Sequence, residues 1–423
     1  MNYNNPGART ALCIATVAFA ANFSVWTLYA AIAFFIEPKL ALSSTDLGIL
    51  LATPMITGAV LRIPVGMIVE YYQPKTIFIL QMLFVSPALF ILPHVNSFSA
   101  YLLIGLWIGV SGTSFTIGIR YISDWFDRKQ QGTAMGIFGA GNAGAAITLA
   151  GVPIMVDFFG WEQVGTIYGC GVLVMTFLFY LIAPNTPKHL LPDVPKSLSD
   201  QLAPIKILRV WRFGLYYYFV FGSFLALILW LPQYYHNAYN LSMPKALAFT
   251  LFFVATSSMV RALGGWFSDR YGGRTVNWSV FWVCLICLFF LSYPPTTMTV
   301  HGVNTDVELK IEINVWLFTS LMFVIGIAQG FGRASVYKTI HDYYPQQMGI
   351  VGGLVGAIGA LGGCTLPIIF GFATDKIGIY SVCFMILYGV LAACMIAMYL
   401  GLKADRYQQR VDEAMNHNFL DDD

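Results

Sequence analysis

Charge is what this chain has least of. Only 10% of its 423 residues are Asp, Glu, Lys or Arg, against 57% hydrophobic ones, and the mean hydropathy is +0.68. A soluble globule is excluded, because it would lack the polar surface that water requires. Metal-ligating clusters are lacking as well. The seven cysteines lie scattered through apolar stretches, and Cys284 and Cys287 fall mid-helix with no second pair or histidine nearby. They read as small packing residues, so no metal, redox centre or cofactor is expected. No basic tract interleaved with aromatics appears, so the net charge of +2 and pI near 8.1 reflect loop topology and not nucleic-acid binding. A nucleophile, metal cluster or carboxylate pair facing a shared cavity is also missing, which argues against an enzyme. A receptor on such a scaffold is expected to add a soluble signalling domain, and after the last apolar run only 403–423 remain.

What the chain does have is long apolar runs. A helix crossing the roughly 30 Å hydrocarbon core needs about 20 mostly apolar residues. Such runs extend from Thr10 to Ile36, Asp46 to Val69, Thr76 to Leu92, Ser99 to Ile119, Thr133 to Met155 and Gln163 to Ile182. A second set runs from Phe213 to Leu231, Ala246 to Phe267, Thr275 to Leu291, Val315 to Gly332, Ile350 to Phe370 and Ile379 to Leu402. The first run is too long for a signal-peptide core and is expected to stay in the membrane. The expected organisation is an N-terminal six-helix bundle over 1–183, a Pro/Lys/Arg-rich cytoplasmic linker over 184–212, a C-terminal six-helix bundle over 213–402 and a cytoplasmic tail over 403–423. With both termini cytoplasmic, the outer loops hold Lys39, Lys245, Lys310 and Lys376, the spans hold Arg62 and Arg261, and every other Lys and Arg lies inside. The positive-inside rule supports this topology.

The two sets repeat one another. Arg62, Gly66 and Glu70 lie 199 positions before Arg261, Gly265 and Asp269, so R-x-x-x-G-x-x-x-[D/E] occurs once per half. Arg120, Asp124 and Phe126 precede Lys338, Asp342 and Tyr344 by 218 positions. Gly132, Gly136, Gly139 and Asn142 precede Gly349, Gly353, Gly356 and Gly359 by 217. The fold expected is an all-α integral membrane protein of twelve transmembrane helices in two pseudo-symmetric six-helix bundles. Parallel repeats of this kind meet at a cavity near the bilayer midplane and rock to open it to either side.

The chemistry turns on one buried cation per half. An arginine at mid-membrane costs about 2.5 to 3.5 kcal/mol on insertion scales, and such charges pair or line a water-filled cavity. The 21 acidic residues fall outside the spans or at their ends, so Arg62 and Arg261 have no carboxylate at their depth. A transported anion would supply the missing charge. Guanidinium is planar, always protonated and fork-shaped, which suits nitrate, nitrite or a carboxylate. The alternative is that both side chains snorkel to an interface or bond backbone carbonyls, stapling the bundle.

In the fifth run, G-I-F-G-A-G-N-A-G from Gly136, the letters G-x-G-x-x-G at Gly139, Gly141 and Gly144 are not a dinucleotide fingerprint. No strand precedes them and apolar helix flanks them. On a regular helix Gly132, Gly136, Ala140 and Gly144 would line one face for close helix packing, as would Gly352, Gly356 and Ala360 in the eleventh run. Asn142 is the polar exception there. Its amide is read as an anion donor or, alternatively, as an interhelical bond.

The segment G-W-F-S-D-R-Y-G-G-R from Gly265 resembles the loop motif that the major facilitator superfamily places between the second and third helices of each half. The copy G-M-I-V-E-Y-Y-Q-P-K from Gly66 departs from it, with Glu70 for aspartate, Tyr71 for the basic residue and Gln73 for glycine. By this resemblance Gly66, Glu70, Gly265, Asp269 and Arg270 belong to the gating motif. The glycine runs from Gly136 and from Gly352 to Gly363, with one arginine each in helices two and eight, resemble the nitrate/nitrite porter family within that superfamily. The resemblance implies that Arg62 and Arg261 clamp the anion, Asn142 touches it, Phe115 packs on its flat face and Tyr217, between Tyr216 and Tyr218, donates a hydroxyl. Gly139 and Gly356, which are repeat partners, complete the expected substrate-binding set.

It implies further a monomeric carrier in a bacterial inner membrane, surrounded by lipid, moving nitrate and nitrite without a cofactor and with protons as a candidate co-substrate. Import of a small carboxylate or another inorganic monoanion is the runner-up. Glu37, Asp46, His94 and His236 sit near helix ends, so no titratable carboxylate or histidine is placed at mid-depth, which points towards exchange; the mode stays open, with net nitrate uptake the default. The family resemblance covers both proton/nitrate symport and nitrate/nitrite exchange.

Overall fold

A bilayer offers no partners to backbone N–H and C=O groups, so apolar runs of this length close their hydrogen bonds within helices. The computed structural model describes residues 7–123, 125, 126, 128–186, 203–301, 303, 305–344 and 348–420. In chain order the spans are α1 (Ala8–Leu40), α2 (Ser44–Val69), α3 (Pro74–His94), α4 (Phe98–Ser123), α5 (Ala134–Phe159), α6 (Glu162–Ile182) and α7 (Leu208–Tyr239). Then come α8, built from Met243–Met259 and Arg261–Tyr271 with a 40° bend, α9 (Gly273–Leu291), α10 (Val315–Tyr343), α11 (Ile350–Ile377) and α12 (Val382–Tyr407). Of the residues expected to form the linker, 187–202 lie outside the described residues, and α7 already begins at Leu208.

Two boundaries differ from the sequence expectation in ways that matter. The tenth span does not stop at Gly332 but runs on to Tyr343, which puts Arg333 inside a helix and not in a loop. Between α9 and α10 the chain forms a β-hairpin, β1 (Thr296–His301) antiparallel to β2 (Asp306–Ile311), in the register Thr296↔Ile311 to His301↔Asp306. Met298, Val300, Val307, Leu309 and Ile311 alternate with polar residues along these strands, the period that two-stranded pairing requires.

Helix starts follow capping chemistry. Ser43 and Asp46 form a capping box at α2, and Asn314 accepts from Leu317 N (2.8 Å) at α10. Several spans are broken in the middle. α4 tightens into a 3-10 turn at Gly109–Thr113, α5 at Ala140–Ala143, and α7 widens into a π turn at Tyr218–Gly222. The breaks in α2 and α8 repeat one another, with Leu61 at φ −73°, ψ −10° and Val260 at φ −74°, ψ −6°. Arg62 and Arg261 are the next residue in each case.

The closest packing between the bundles α1–α6 and α7–α12 is that of α2 on α11, toward the end of the molecule that carries the β-hairpin. Two glycines allow it. A Cβ on Gly48 would lie 2.3 Å from the Pro367 carbonyl oxygen, and one on Gly371 would lie 2.0 Å from that of Ser44. Asp375, near the end of α11, accepts from the Ser44 N–H (3.1 Å), the Thr45 N–H (2.7 Å) and the Thr45 hydroxyl. A carboxylate thus faces the positive N-terminus of α2 across the seam. At the opposite end, Asp405 of α12 binds Arg209 of α7 (3.2 Å), Arg274 of α9 (2.8 Å) and the hydroxyl of Tyr343 (3.0 Å), tying four helix ends of one bundle together.

The Asp375 contact generates a test. Asp375→Asn keeps the shape but loses the charge, so the seam should open more often. In a protein with Cys13 and Cys170 replaced by serine, maleimide labelling of Leu47→Cys, a buried α2 position, should rise severalfold on adding Asp375→Asn. Unchanged labelling would remove Asp375 from the closure.

Candidate functional site

The helix breaks deliver two side chains to the interior. Arg62 and Arg261 are 4% and 8% exposed, so neither points into lipid. The Arg62 guanidinium sits among three rings, 5.3 Å from the Trp26 centroid, 5.4 Å from Phe115 and 5.7 Å from Phe221. Cation–π contacts of this kind are worth about 0.5–2 kcal/mol each when desolvated. Trp26 is wedged between helices: a Cβ on Gly58 of α2 or Gly112 of α4 would lie 2.6 or 2.5 Å from its indole, and its N–H donates to the Pro54 carbonyl (2.7 Å). Phe115 is held by Phe138 and Phe19, with ring centroids at 5.9 and 5.4 Å.

Each arginine reaches into the other bundle. Arg62 donates from Nη1 to the carbonyl of Gly356 in α11 (3.2 Å), while its Nε has no partner among the described residues. Arg261 lies against Gly139 of α5, where a Cβ would sit 2.8 Å from its Nη1. Gly139 and Gly356 are repeat partners, so each arginine meets the corresponding glycine of the opposite bundle, Arg62 at its carbonyl and Arg261 at its Cα face. Of the two sequence alternatives for the arginines, bonding to a backbone carbonyl describes this one contact of Arg62; snorkelling describes neither residue.

A third cation accompanies them. Arg333 of α10 is fully buried, so the expectation of one buried arginine per half is corrected to three among the described residues, Arg62, Arg261 and Arg333. Its Nη2 donates to the carbonyl (2.5 Å) and hydroxyl (2.7 Å) of Ser257, its Nε to the Gln329 carbonyl (3.4 Å), and its guanidinium lies 3.9 Å from the Phe224 ring centroid. The carboxamide oxygen of Asn142, in the 3-10 turn of α5, accepts from Arg261 Nη1 (3.0 Å) and Arg333 Nη1 (3.2 Å). The reverse amide orientation would set an NH2 against two donors. Among the described residues no carboxylate pairs with any of the three guanidiniums.

Arg333 is hard to find in the sequence because it borders an apolar run and counts there as a loop cation. The signal that marks it is the small-residue run G-F-G-R-A-S from Gly330 to Ser335, a counterpart of the glycine runs in α5 and α11. Trp26 and Phe221, which share the Arg62 surroundings, carry no distinguishing sequence signal among so many aromatics.

The three adjacent tyrosines separate in space. Tyr217 stacks on Phe221 (5.0 Å) and meets Tyr337 edge-on (5.1 Å), one ring away from Arg62. Tyr216 turns to Phe281 (5.8 Å), and Tyr218 bonds the Thr365 hydroxyl (2.6 Å). Tyr217 and Phe221, four residues apart across the π turn, share one side of α7.

Of the glycine face expected at four-residue spacing in α5, Gly144 packs against the Ala20 carbonyl of α1, but Gly136 faces open space, Ala140 is exposed, and the surroundings of Gly132 lie outside the described residues. Gly141 meets Phe19 of α1 and Gly139 meets Arg261. The 3-10 turn at Ala140–Ala143 has three residues per turn and rotates the face away from a regular α-helical stripe. In α11, Gly356 approaches the Tyr337 hydroxyl, Gly359 the Tyr217 ring and Gly362 the Gly222 backbone.

At the gating motif, Asp269 lies 3.8 Å from Lys338, which bonds Asp342 more closely (2.8 Å), and the Arg270 guanidinium lies over Trp266 and Tyr271. A Cβ on Gly66 would lie 3.3 Å from the Thr116 methyl. Gly265 faces open space, and it is at Gly264 that an added Cβ would collide, lying 2.6 Å from Phe331 Cα. The side chain of Glu70 lies outside the described residues.

Comparison with known proteins places this arrangement. The family model described as Major Facilitator Superfamily matches residues 14–305. The "Probable nitrate/nitrite antiporter NarK1" of Thermus thermophilus is 33% identical over 408 residues, which cover 93% of this chain and 92% of that protein. The "Nitrite extrusion protein" of Bacillus subtilis is 26% identical over 409 residues, 96% of this chain and 98% of its own length. Among solved structures, a bacterial homologue of the lysosomal transporter Spinster, crystallised "in Inward-facing And Occupied Conformation", superposes with a TM-score of 0.70 at 15% identity, covering 94% of this chain and 97% of its own. This multi-pass membrane protein therefore belongs to the nitrate/nitrite porter family of the major facilitator superfamily.

Proposed function

We propose that the protein carries nitrate, and nitrite with it, across the bacterial inner membrane by alternating access, with the anion held between Arg62 and Arg261. The observation that carries this reading is the set of three buried guanidiniums with which no carboxylate pairs among the described residues. Arg261 and Arg333 both donate to one Asn142 oxygen at 3.0 and 3.2 Å, so their Nη1 atoms are at most about 6.2 Å apart. Two unit charges at that distance and an effective dielectric near 20 repel by about 3 kcal/mol, and a monoanion about 4 Å from Arg261 gains about 4 kcal/mol. The attraction of an anion to Arg261 alone exceeds that repulsion. The flat aromatic surroundings of Arg62 and the forked donors suit a planar oxyanion.

The remaining residues take roles consistent with this. Phe115 packs on the anion's face beside Arg62, Asn142 and Tyr217 offer donors, and Gly139 and Gly356 leave room for the arginines. Gly66, Glu70, Gly265, Asp269 and Arg270 belong to the gate. The bundles over 1–183 and 213–402 rock about this site, joined by the linker 184–212, with both termini and the tail 403–423 in the cytoplasm; the carrier works as a monomer. Exchange of nitrate for nitrite is favoured over proton symport, because unneutralised guanidiniums oppose reorientation of an empty carrier. The names of the relatives in Thermus and Bacillus agree with it.

Labelled nitrate uptake into proteoliposomes, with unlabelled nitrate, nitrite, formate and chlorate as competitors, tests the substrate; indifference to nitrate would overturn it. Preloaded nitrite should accelerate uptake more than an imposed pH gradient does. Arg62→Lys and Arg261→Lys should each lower nitrate kcat/KM about tenfold or more with protein in the membrane unchanged, since loss of a charge-assisted fork costs about 1.5–3 kcal/mol. Gly139→Val should do the same by colliding with Arg261, whereas Gly136→Ala, in open space, should transport as the parent does.

A further inference from the structure

Among the described residues, Asn142 is the uncharged side chain that bridges two of the three buried arginines, and it does so from the opposite bundle. Its oxygen takes both donors, so that end of the amide is saturated by cations. The end left over is the NH2 group, a donor. A carboxamide held this way presents only N–H to a ligand, which favours an acceptor such as an oxyanion. If its oxygen were free instead, it would repel one.

Arg261 alone would not hold the amide so firmly. Arg333 is anchored independently, by the Ser257 carbonyl and hydroxyl, by the Gln329 carbonyl and by the Phe224 ring, and so reaches Asn142 from a fixed position. Ser257 lies one turn before Arg261 at the bend of α8, so the same guanidinium braces the helix break that aims Arg261. A chain of contacts from α10 through α8 to α5 sets the orientation of one amide.

We propose that Arg333 is a positioning residue of the anion site, orienting the carboxamide of Asn142 so that it offers N–H donors to the transported oxyanion. This rests on the anion-transport reading above. Arg333 acts through Asn142 and not by touching the anion, and the two residues form one functional unit.

Residues that act as a unit have non-additive effects. In proteoliposomes, Arg333→Gln should raise the KM for nitrate about tenfold, with a smaller change in kcat, as expected for lost binding. Asn142→Ala should raise it comparably, and adding Arg333→Gln to Asn142→Ala should raise it by less than about twofold more. Should Arg333→Gln not accumulate as folded protein, Arg333→Lys replaces it: its ammonium cannot satisfy both Ser257 and Asn142, so KM should rise severalfold, and this effect too should vanish in the Asn142→Ala background. A purely structural Arg333 would lower the amount of active carrier and leave KM unchanged. Unchanged KM in the single variants, or KM effects that multiply in the double variant, overturns the proposal. Absence of nitrate transport by the parent protein would instead overturn the transport reading.

Discussion

A buried guanidinium without a carboxylate is held in place by whatever neutral groups can tolerate it, and in this protein those groups are aromatic faces, carbonyl oxygens and one amide. Arg62 rests among Trp26, Phe115 and Phe221, Arg333 lies on Phe224 and against Ser257, and Arg261 shares Asn142 with Arg333. None of these partners cancels a charge. Neutral hydrogen bonds and ring faces offset part of the desolvation and leave the net charge intact, which is the condition for attracting an anion into a low-dielectric interior. The rest of the architecture serves to keep that charge in place.

Broken helices are how it is kept there. A continuous α2 or α8 would satisfy its own backbone throughout, and the matching breaks at Leu61 and Val260 start a new helical segment at each arginine. The 3-10 turn in α5 brings Asn142 to Arg261, and across the π turn in α7 Tyr217 and Phe221 share one side. Irregular backbone at membrane depth is tolerable because it lies within the bundle and not against lipid. Glycines then permit the close approaches, at Gly48 and Gly371 across the seam and at Gly58 and Gly112 around Trp26.

Much of the fold was legible because lipid imposes simple rules on sequence. Apolar length marks spans, and a repeat offset of 199 links Arg62 to Arg261 whatever the tertiary structure does. What local pattern could not reveal has a common cause in helix irregularity. The glycine stripe expected from Gly136 to Gly144 is broken between them because a 3-10 turn changes the period, and Arg333 was hidden because α10 stays helical through a polar stretch, to Tyr343. The hairpin at Thr296–Ile311 alternates over too few residues to stand out between long apolar helices.

Composition and periodicity by themselves determined the environment, the number of spans, the duplication and the presence of cations without acids at their depth, since each follows from the free energy of transferring residues into hydrocarbon, a property of the chain read locally. Only the tertiary structure decided that there are three such cations among the described residues and not two, that Arg62 and Arg261 cross to the glycines of opposite bundles, and that Tyr217 and not its neighbours lies near them. Those outcomes depend on where helices bend and how closely they pack, and such geometry is set by contacts between residues far apart in the chain.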